Sequence, residues 1–195
     1  GWIGERMGPD RLPLGIGIVL VFAAVFSFTL QRMPNAQTRS GLIARGSAFV
    51  LPFVFGLYFG LRSDLGQHLY PLGAMLVLLS AGALFIARAN GAAWISVAGA
   101  VGCISVIGAW LSQHDAAPIA WEVTGIVALL ALVFHGALEL ELLKPAGERR
   151  WTARAAAIAT FGALLLLAAA VTSPAGHDPW PWLAGVLGLA ALALR

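Results

Sequence analysis

Long apolar runs separated by short polar segments make up most of the sequence. Six of the runs approach the roughly 20 residues that a helix needs to cross a hydrocarbon core about 30 Å thick, and a seventh run is shorter. Proline and glycine mark the segments between the runs, as is typical of loops. The pattern predicts an all-α, polytopic transmembrane helical bundle of six full helices and the start of a seventh, at residues 12–30, 42–61, 70–87, 92–111, 119–143, 151–171 and 182–195.

The composition favours the same class of protein. Hydrophobic residues make up 59% of the chain and charged residues 11%, whereas soluble domains are about 25% charged. The lipid bilayer and helices of other membrane proteins are therefore the expected partners. The net charge of +3 comes from basic residues in short segments between apolar runs, where they act as orientation signals. We expect no nucleic-acid partner.

The positions of the basic residues predict the orientation. If the segments after the first, third, fifth and seventh helices share one side, that side holds nine Lys and Arg residues: Arg32, Arg39, Arg45, Arg88, Lys144, Arg149, Arg150, Arg154 and Arg195. The other side holds three, which are Arg6, Arg11 and Arg62. Basic loops stay on the cytoplasmic side. The count therefore predicts a multi-pass protein of the cell inner membrane with its N-terminus outside.

Glycines at helical spacing indicate where helices pack. Gly56 and Gly60 lie four residues apart in the predicted second helix, and Gly99 and Gly102 belong to a small-residue stripe in the fourth. Small residues allow two helix backbones to approach closely in lipid. We expect all four glycines to lie at helix-packing surfaces.

The predicted helix at 119–143 carries ionisable residues in an apolar run. Glu122 and Glu141 fall near its opposite ends, which leaves His135 and Glu139 as the deep pair. These two residues are at i and i+4, close enough to hydrogen-bond on a helix. An ionisable residue inside the membrane is a functional hypothesis by default.

Three interpretations of His135 and Glu139 stay open. They form a step in a proton or ion pathway, since histidine titrates near neutrality. Alternatively, His135 is an axial ligand of a haem or other tetrapyrrole, with Ala131 and Gly136 leaving space beside the ring. In the third interpretation, the two side chains bond each other or a backbone carbonyl and have only a structural role.

Histidines and carboxylates also gather in the segments predicted to lie outside. Such residues are suitable zinc or manganese ligands, yet the sequence has no HExxH motif, no fixed ligand spacing and no cysteine pair. Polar loop tips commonly carry such residues because they face water. The set is a candidate outer-face metal or polar cluster, with no metal predicted: Asp64, His68, His114, Asp115, His177 and Asp178.

Motifs of catalytic sites are missing from the sequence. Gly15-x-Gly17 lacks a third glycine and lies in an apolar run, and neither a Walker lysine nor a GxSxG elbow occurs. Catalysis needs several convergent polar groups, and this chain offers few. We expect a protein that is not an enzyme.

Three stretches carry a resemblance to a known family. They are Leu51-Pro-Phe-Val-Phe-Gly-Leu-Tyr-Phe-Gly-Leu, then His68-Leu-Tyr-Pro-Leu to Arg88, then Trp94 through Trp110-Leu, within a region of about a third of the chain. Their succession of apolar runs, a proline-opened helix, a short basic turn and a tryptophan-ended helix resembles a family of large multi-pass bacterial inner-membrane proteins of unassigned function. The resemblance implies a segment of a longer polytopic chain, and it transfers no active-site residue.

These observations lead to one functional expectation and two alternatives. We expect a non-catalytic integral membrane protein that is a scaffold or accessory subunit of a larger membrane assembly. A transporter or channel component using the polar face of the helix at 119–143 is the first alternative, and pigment or haem binding through His135 is the second. The chain begins at Gly1 and ends at Arg195 within an apolar run, so we expect a segment of a longer protein.

Overall fold

The computed structural model describes residues 12–31, 39–63, 69–90, 94–142, 149–171 and 179–193. Every regular element in these ranges is a helix, and none is a strand. A short 3-10 turn, Ala117–Ile119, precedes the fifth helix. The helices are α1 (Leu12–Gln31), α2 (Arg39–Gly60), α3 (Tyr70–Asn90), α4 (Trp94–Leu111), α5 (Ala120–Leu142), α6 (Arg149–Val171) and α7 (Trp180–Ala193).

Four of the described helices contain segments that are long and apolar enough to cross a membrane. They are Tyr70–Arg88, Trp94–Leu111, Ala117–Leu140 and Arg150–Ala170. Large apolar side chains also cover the outside of the bundle, with Phe161 63% and Leu165 71% exposed. A helix that is apolar on all sides is typical of a membrane span. The all-α class is confirmed, and these four helices fit a membrane protein.

Contacts between helices show which of them run in the same direction. Along α2 and α4, Phe53 meets Gly102 near the middle, while Gly60 meets the backbone of Trp110 at the ends. The same progression joins α4 to α6, where Ile104 meets Gly162 and Leu166 lies beside Gly108. Each of these pairs of helices is therefore parallel.

On the other side, α3 and α5 are parallel as well, because Tyr70 bonds Glu122 and Gly73 contacts Ile126. The starts of α3 and α5 and the ends of α2 and α4 thus lie together, at what we call the Tyr70 end. The end of α5 and the start of α6 lie at the opposite end, which we call the Arg150 end.

Helix α6 lies beside three neighbours, α4, α5 and α7. The contact with α5 includes a cluster of small buried side chains around Phe134: Ala137 on α5 and Ala155, Ala156 and Ala159 on α6. Alanine keeps the side chains between two backbones short, so α5 and α6 approach closely here. This contact positions the polar group described next.

Candidate functional site

His135 on α5 bonds a threonine on the neighbouring helix. Its Nε2 lies 2.8 Å from the Oγ1 of Thr160 on α6, and Thr160 is buried with 1% of its surface exposed. The Thr160 hydroxyl donates its single proton to the carbonyl oxygen of Ala156, at 2.9 Å. Because that proton is already used, Nε2 must be the donor and Oγ1 the acceptor. The neutral imidazole therefore carries its proton on Nε2, and Nδ1 keeps a free lone pair.

Glu139 lies one turn beyond His135 and is exposed. It makes no hydrogen bond or ion pair with the residues that the structure describes. The hydrogen bond from His135 thus goes to Thr160 on α6 rather than to Glu139 on its own helix. The helical spacing predicted two neighbours on α5, whereas the partner of the imidazole comes from 25 residues away.

The surroundings of His135 differ on its two sides. Gly136 is exposed, and a Cβ added to it would have no neighbour within 4 Å. Ala131, which we expected to leave space beside the ring, is fully buried in the main apolar core. Of these two small residues, Gly136 therefore leaves open space beside His135 and Ala131 does not.

A second buried polar contact lies at the Tyr70 end. The Oε1 of Glu122 accepts a hydrogen bond from the backbone N–H of Tyr70 at 2.6 Å, and only 7% of Glu122 is exposed. Leu69, which precedes α3, has an apolar side chain that cannot accept a hydrogen bond from the first N–H groups of the helix. Glu122 supplies that acceptor from another helix, and its negative charge suits a helix N-terminus.

A third polar contact joins α3 to α4. Ser80 Oγ and Cys103 Sγ are 3.0 Å apart, and both residues are buried. Where α5 meets α7, the Thr124 hydroxyl and the Trp182 indole nitrogen are also buried, without a partner among the described residues. Sequence reasoning identified none of these contacts, because no spacing signal connects residues on different helices.

Two of the six residues of the predicted outer-face cluster, His114 and Asp115, lie within the described ranges. The His114 ring stacks on Trp110 with centroids 4.6 Å apart, and its Nδ1 donates to the Trp110 carbonyl at 3.0 Å. Asp115 Oδ1 accepts the N–H of Ala117, the first residue of the 3-10 turn, at 3.0 Å. Within the described ranges, no three His, Cys, Asp or Glu side chains form a group suited to a metal ion. The remaining predicted members lie outside the described residues: Asp64, His68, His177 and Asp178.

The four glycines predicted at packing surfaces lie on α2 and α4. A Cβ on Gly60 would be 3.1 Å from the carbonyl oxygen of Val106, and one on Gly56 would be 3.0 Å from Met75. A Cβ on Gly102 would come within 2.5 Å of the Phe53 ring. Gly99 is buried on α4. Three of the four positions thus have no space for a side chain without a shift of their neighbours.

Comparison of the chain with protein-family models, with curated proteins and with solved structures gives no significant match. The resemblance of the stretches between Leu51 and Leu111 to large bacterial membrane proteins therefore stays a prediction. The fold and contacts define a bundle of helices, four of which are apolar enough to lie in a membrane.

Proposed function

We propose that the chain is a non-catalytic integral membrane protein that acts as a scaffold or accessory subunit of a larger membrane assembly. The observation that supports this proposal is that polar groups on different helices bond to one another. His135 is bonded to Thr160, Glu122 to the backbone of Tyr70, and Ser80 lies against Cys103. Each contact joins two helices, whereas a transport pathway or an active site needs such groups to be available to a substrate.

Close packing at glycines supports the same function. A Cβ on Gly162 would be 2.7 Å from Ile104, and one on Gly73 would be 2.6 Å from Ile126. Interdigitation of this kind fixes the helices relative to one another. A rigid bundle with apolar outer faces suits a role in which other membrane helices pack around it.

The proposal includes a membrane topology. All six predicted full helices and the start of the seventh cross or enter a bacterial inner membrane, with the N-terminus outside. The Tyr70 end then faces the exterior and the Arg150 end the cytoplasm. Exposed Arg88, Arg150 and Arg154 lie towards the Arg150 end, which agrees with the excess of basic residues on cytoplasmic loops.

Extraction from native membranes in a mild detergent tests the scaffold role. We expect the wild-type chain to migrate as an assembly larger than two copies of the purified chain. Gly60→Leu should break up that assembly, because Gly60 contacts the backbone of α4. Gly82→Leu is the matched control, since Gly82 has no neighbour within 4 Å of a Cβ. A wild-type chain no larger than the purified protein would refute the proposal.

A proton or ion pathway at His135 is the second candidate. The free lone pair on Nδ1 and the exposed carboxylate of Glu139, one turn apart, favour it. Purified protein in vesicles with an imposed pH gradient separates the two candidates. A scaffold leaves the decay of the gradient as slow as in protein-free vesicles, whereas a pathway accelerates it and loses this effect in His135→Ala and Glu139→Gln.

Haem or pigment binding fits the geometry less well. Nε2, the imidazole nitrogen further from the backbone, is already bonded to Thr160. A macrocycle would have to bind Nδ1, beside the backbone of α5. An absorbance spectrum of the purified protein tests this, because a bound tetrapyrrole absorbs strongly in the visible range.

A further inference from the structure

Helix α5 presents a continuous exposed stripe on the outside of the bundle. The stripe consists of Gly125, Leu129, Leu132, Gly136 and Glu139, at successive spacings of four, three, four and three residues. This spacing, 3.5 residues on average, is the period at which one helix packs along another in a left-handed pair. Cβ atoms on Gly125 and Gly136 would have no neighbour within 4 Å, so the stripe has room for a second helix.

The polar atoms on this side of α5 are poorly suited to contact with lipid. Glu139 is exposed three residues before the end of α5, and His135 keeps an acceptor lone pair on Nδ1 one turn deeper. Ionisable residues within transmembrane segments almost always face protein or a water-filled cavity. The polar atoms therefore favour a protein neighbour that carries a hydrogen-bond donor or a positive charge.

The chain itself has such a group at the matching depth. Arg154 on α6 is exposed, and its guanidinium carbon lies 5.0 Å from the centre of the Trp151 ring. Thr124 and Leu167 both lie beside Gly185, and His135 bonds Thr160, so residue numbers rise on α5 as they fall on α6. The two helices are thus antiparallel.

The bond between His135 and Thr160 sets their relative level. Glu139 is four residues beyond His135, and Arg154 is six residues before Thr160, in the same direction along the bundle axis. At 1.5 Å per residue, Glu139 and Arg154 differ in depth by about 3 Å. No ion pair joins them within the chain, as far as the structure describes it.

We propose that two copies of this chain associate through α5 and α6, with Glu139 of each copy bonded to Arg154 of the other. A two-fold axis along the membrane normal keeps every residue at its own depth, so the difference of about 3 Å is within the reach of an arginine side chain. Because of the two-fold symmetry, the contact between Glu139 and Arg154 occurs twice in the dimer. The exposed stripe of α5 then packs antiparallel to the exposed Ala157, Phe161 and Leu165 of the other copy's α6.

The inference rests on the proposed scaffold function, since it names one partner of that assembly as a second copy. The two ideas fail separately. If the native assembly persists while the copies do not contact each other through α5 and α6, the scaffold function stands and the dimer is wrong. If the purified chain dimerises but forms no larger assembly in native membranes, the dimer stands and the scaffold function is wrong.

Charge reversal on the full chain in lipid nanodiscs or mild detergent tests the dimer. We expect Glu139→Arg and Arg154→Glu each to raise the dimer dissociation constant more than about tenfold, since each sets like charges against each other. The double variant restores opposite charges and should return the constant to near the wild-type value. A monomeric wild-type chain, or a double variant no better than the single ones, would overturn the proposal.

Crosslinking in membranes gives a second measurement that does not depend on these charges. In a Cys103→Ser background, two differently tagged chains are co-expressed, one with Gly136→Cys and one with Ala157→Cys. A short bis-maleimide should join the two tags. Leu187→Cys, on the exposed face of α7, replaces Ala157→Cys in the control and should give no product. Equal yields from both pairs, or crosslinks only to other proteins, would contradict the proposed interface.

Discussion

At the scale of single residues, several polar side chains have partners on a neighbouring helix. In a low-dielectric interior, an unpaired donor or acceptor costs more than the bond itself contributes. The hydroxyl of Thr160 avoids this cost because it is used twice. It accepts a hydrogen bond from His135 on α5 and donates one to the carbonyl oxygen of Ala156 on its own helix. Losing the hydroxyl would leave the Nε2–H of His135 without this acceptor.

Replacing Thr160 with valine should therefore destabilise the bundle at nearly constant side-chain volume. Hydrogen bonds between membrane helices contribute about 0.6 kcal/mol on average, and an unpaired donor adds to the loss. We expect a decrease of about 1 kcal/mol in the free energy of unfolding, measured by SDS titration in mixed micelles. Thr160→Ser keeps the hydroxyl and serves as the control. Equal losses in both variants would show that the methyl group, rather than the hydrogen bond, matters.

Glu122 should contribute to the stability of the bundle because its carboxylate bonds the backbone at the start of α3. Glu122→Ala removes the acceptor for the Tyr70 N–H at the start of α3, and loss of a helix cap typically costs about 1 kcal/mol. Glu122→Gln keeps an acceptor oxygen and should retain most of the stability in the same SDS titration. If alanine and glutamine variants are equally stable, the bond to Tyr70 contributes nothing measurable.

At the scale of secondary-structure elements, glycines determine how closely the helices approach. Gly102 on α4 lies against the ring of Phe53 on α2. The ring is confined between helices, so it has little freedom to move away from an added atom. Elsewhere a glycine in a helix interior only lowers helix propensity.

Alanine substitutions should distinguish a glycine that packs against a neighbouring helix from a glycine that has open space beside it. Gly102→Ala forces a methyl group to within 2.5 Å of Phe53, and such overpacking costs about 1–3 kcal/mol. Gly82→Ala on α3 meets no atom within 4 Å and should stabilise the protein by up to about 1 kcal/mol through helix propensity. Thermal unfolding monitored by circular dichroism in detergent should show a lower melting temperature for Gly102→Ala and a higher one for Gly82→Ala. Destabilisation by Gly82→Ala would contradict the open space beside it.

Elements were predictable because run length alone identifies an apolar helix. The observed helices lie within about three residues of the predicted bounds, and boundaries are the least precise part of a prediction from sequence. The differences follow from residues that we interpreted as breaks. α2 begins at Arg39 and α3 ends at Asn90, since polar residues are tolerated in terminal turns. α7 begins at Trp180 because Pro181 lies in a first turn that needs no N–H from it. Contacts such as Glu122 with Tyr70 could not be predicted, since they depend on which helices are neighbours.

At the scale of the whole molecule, the alternation of helix directions gives the bundle two distinct ends. His114, Trp110 and Glu122 lie at the Tyr70 end, while Arg150 and Arg154 lie at the other. Charged residues on short loops determine orientation during insertion. The two ends should therefore face different compartments, with the Tyr70 end outside.

Single cysteines test this orientation directly, because Cys103 is the only native cysteine and is buried. In a Cys103→Ser background, we introduce one cysteine at a time at Ser63 or Gln113, both exposed at the Tyr70 end, or at exposed Arg150. A maleimide that cannot cross membranes should label the first two in intact cells and Arg150→Cys only after permeabilisation. The opposite pattern would reverse the orientation. Labelling of all three in intact cells would mean that the ends do not lie on opposite sides, because α5 then does not cross the membrane between Gln113 and Arg150.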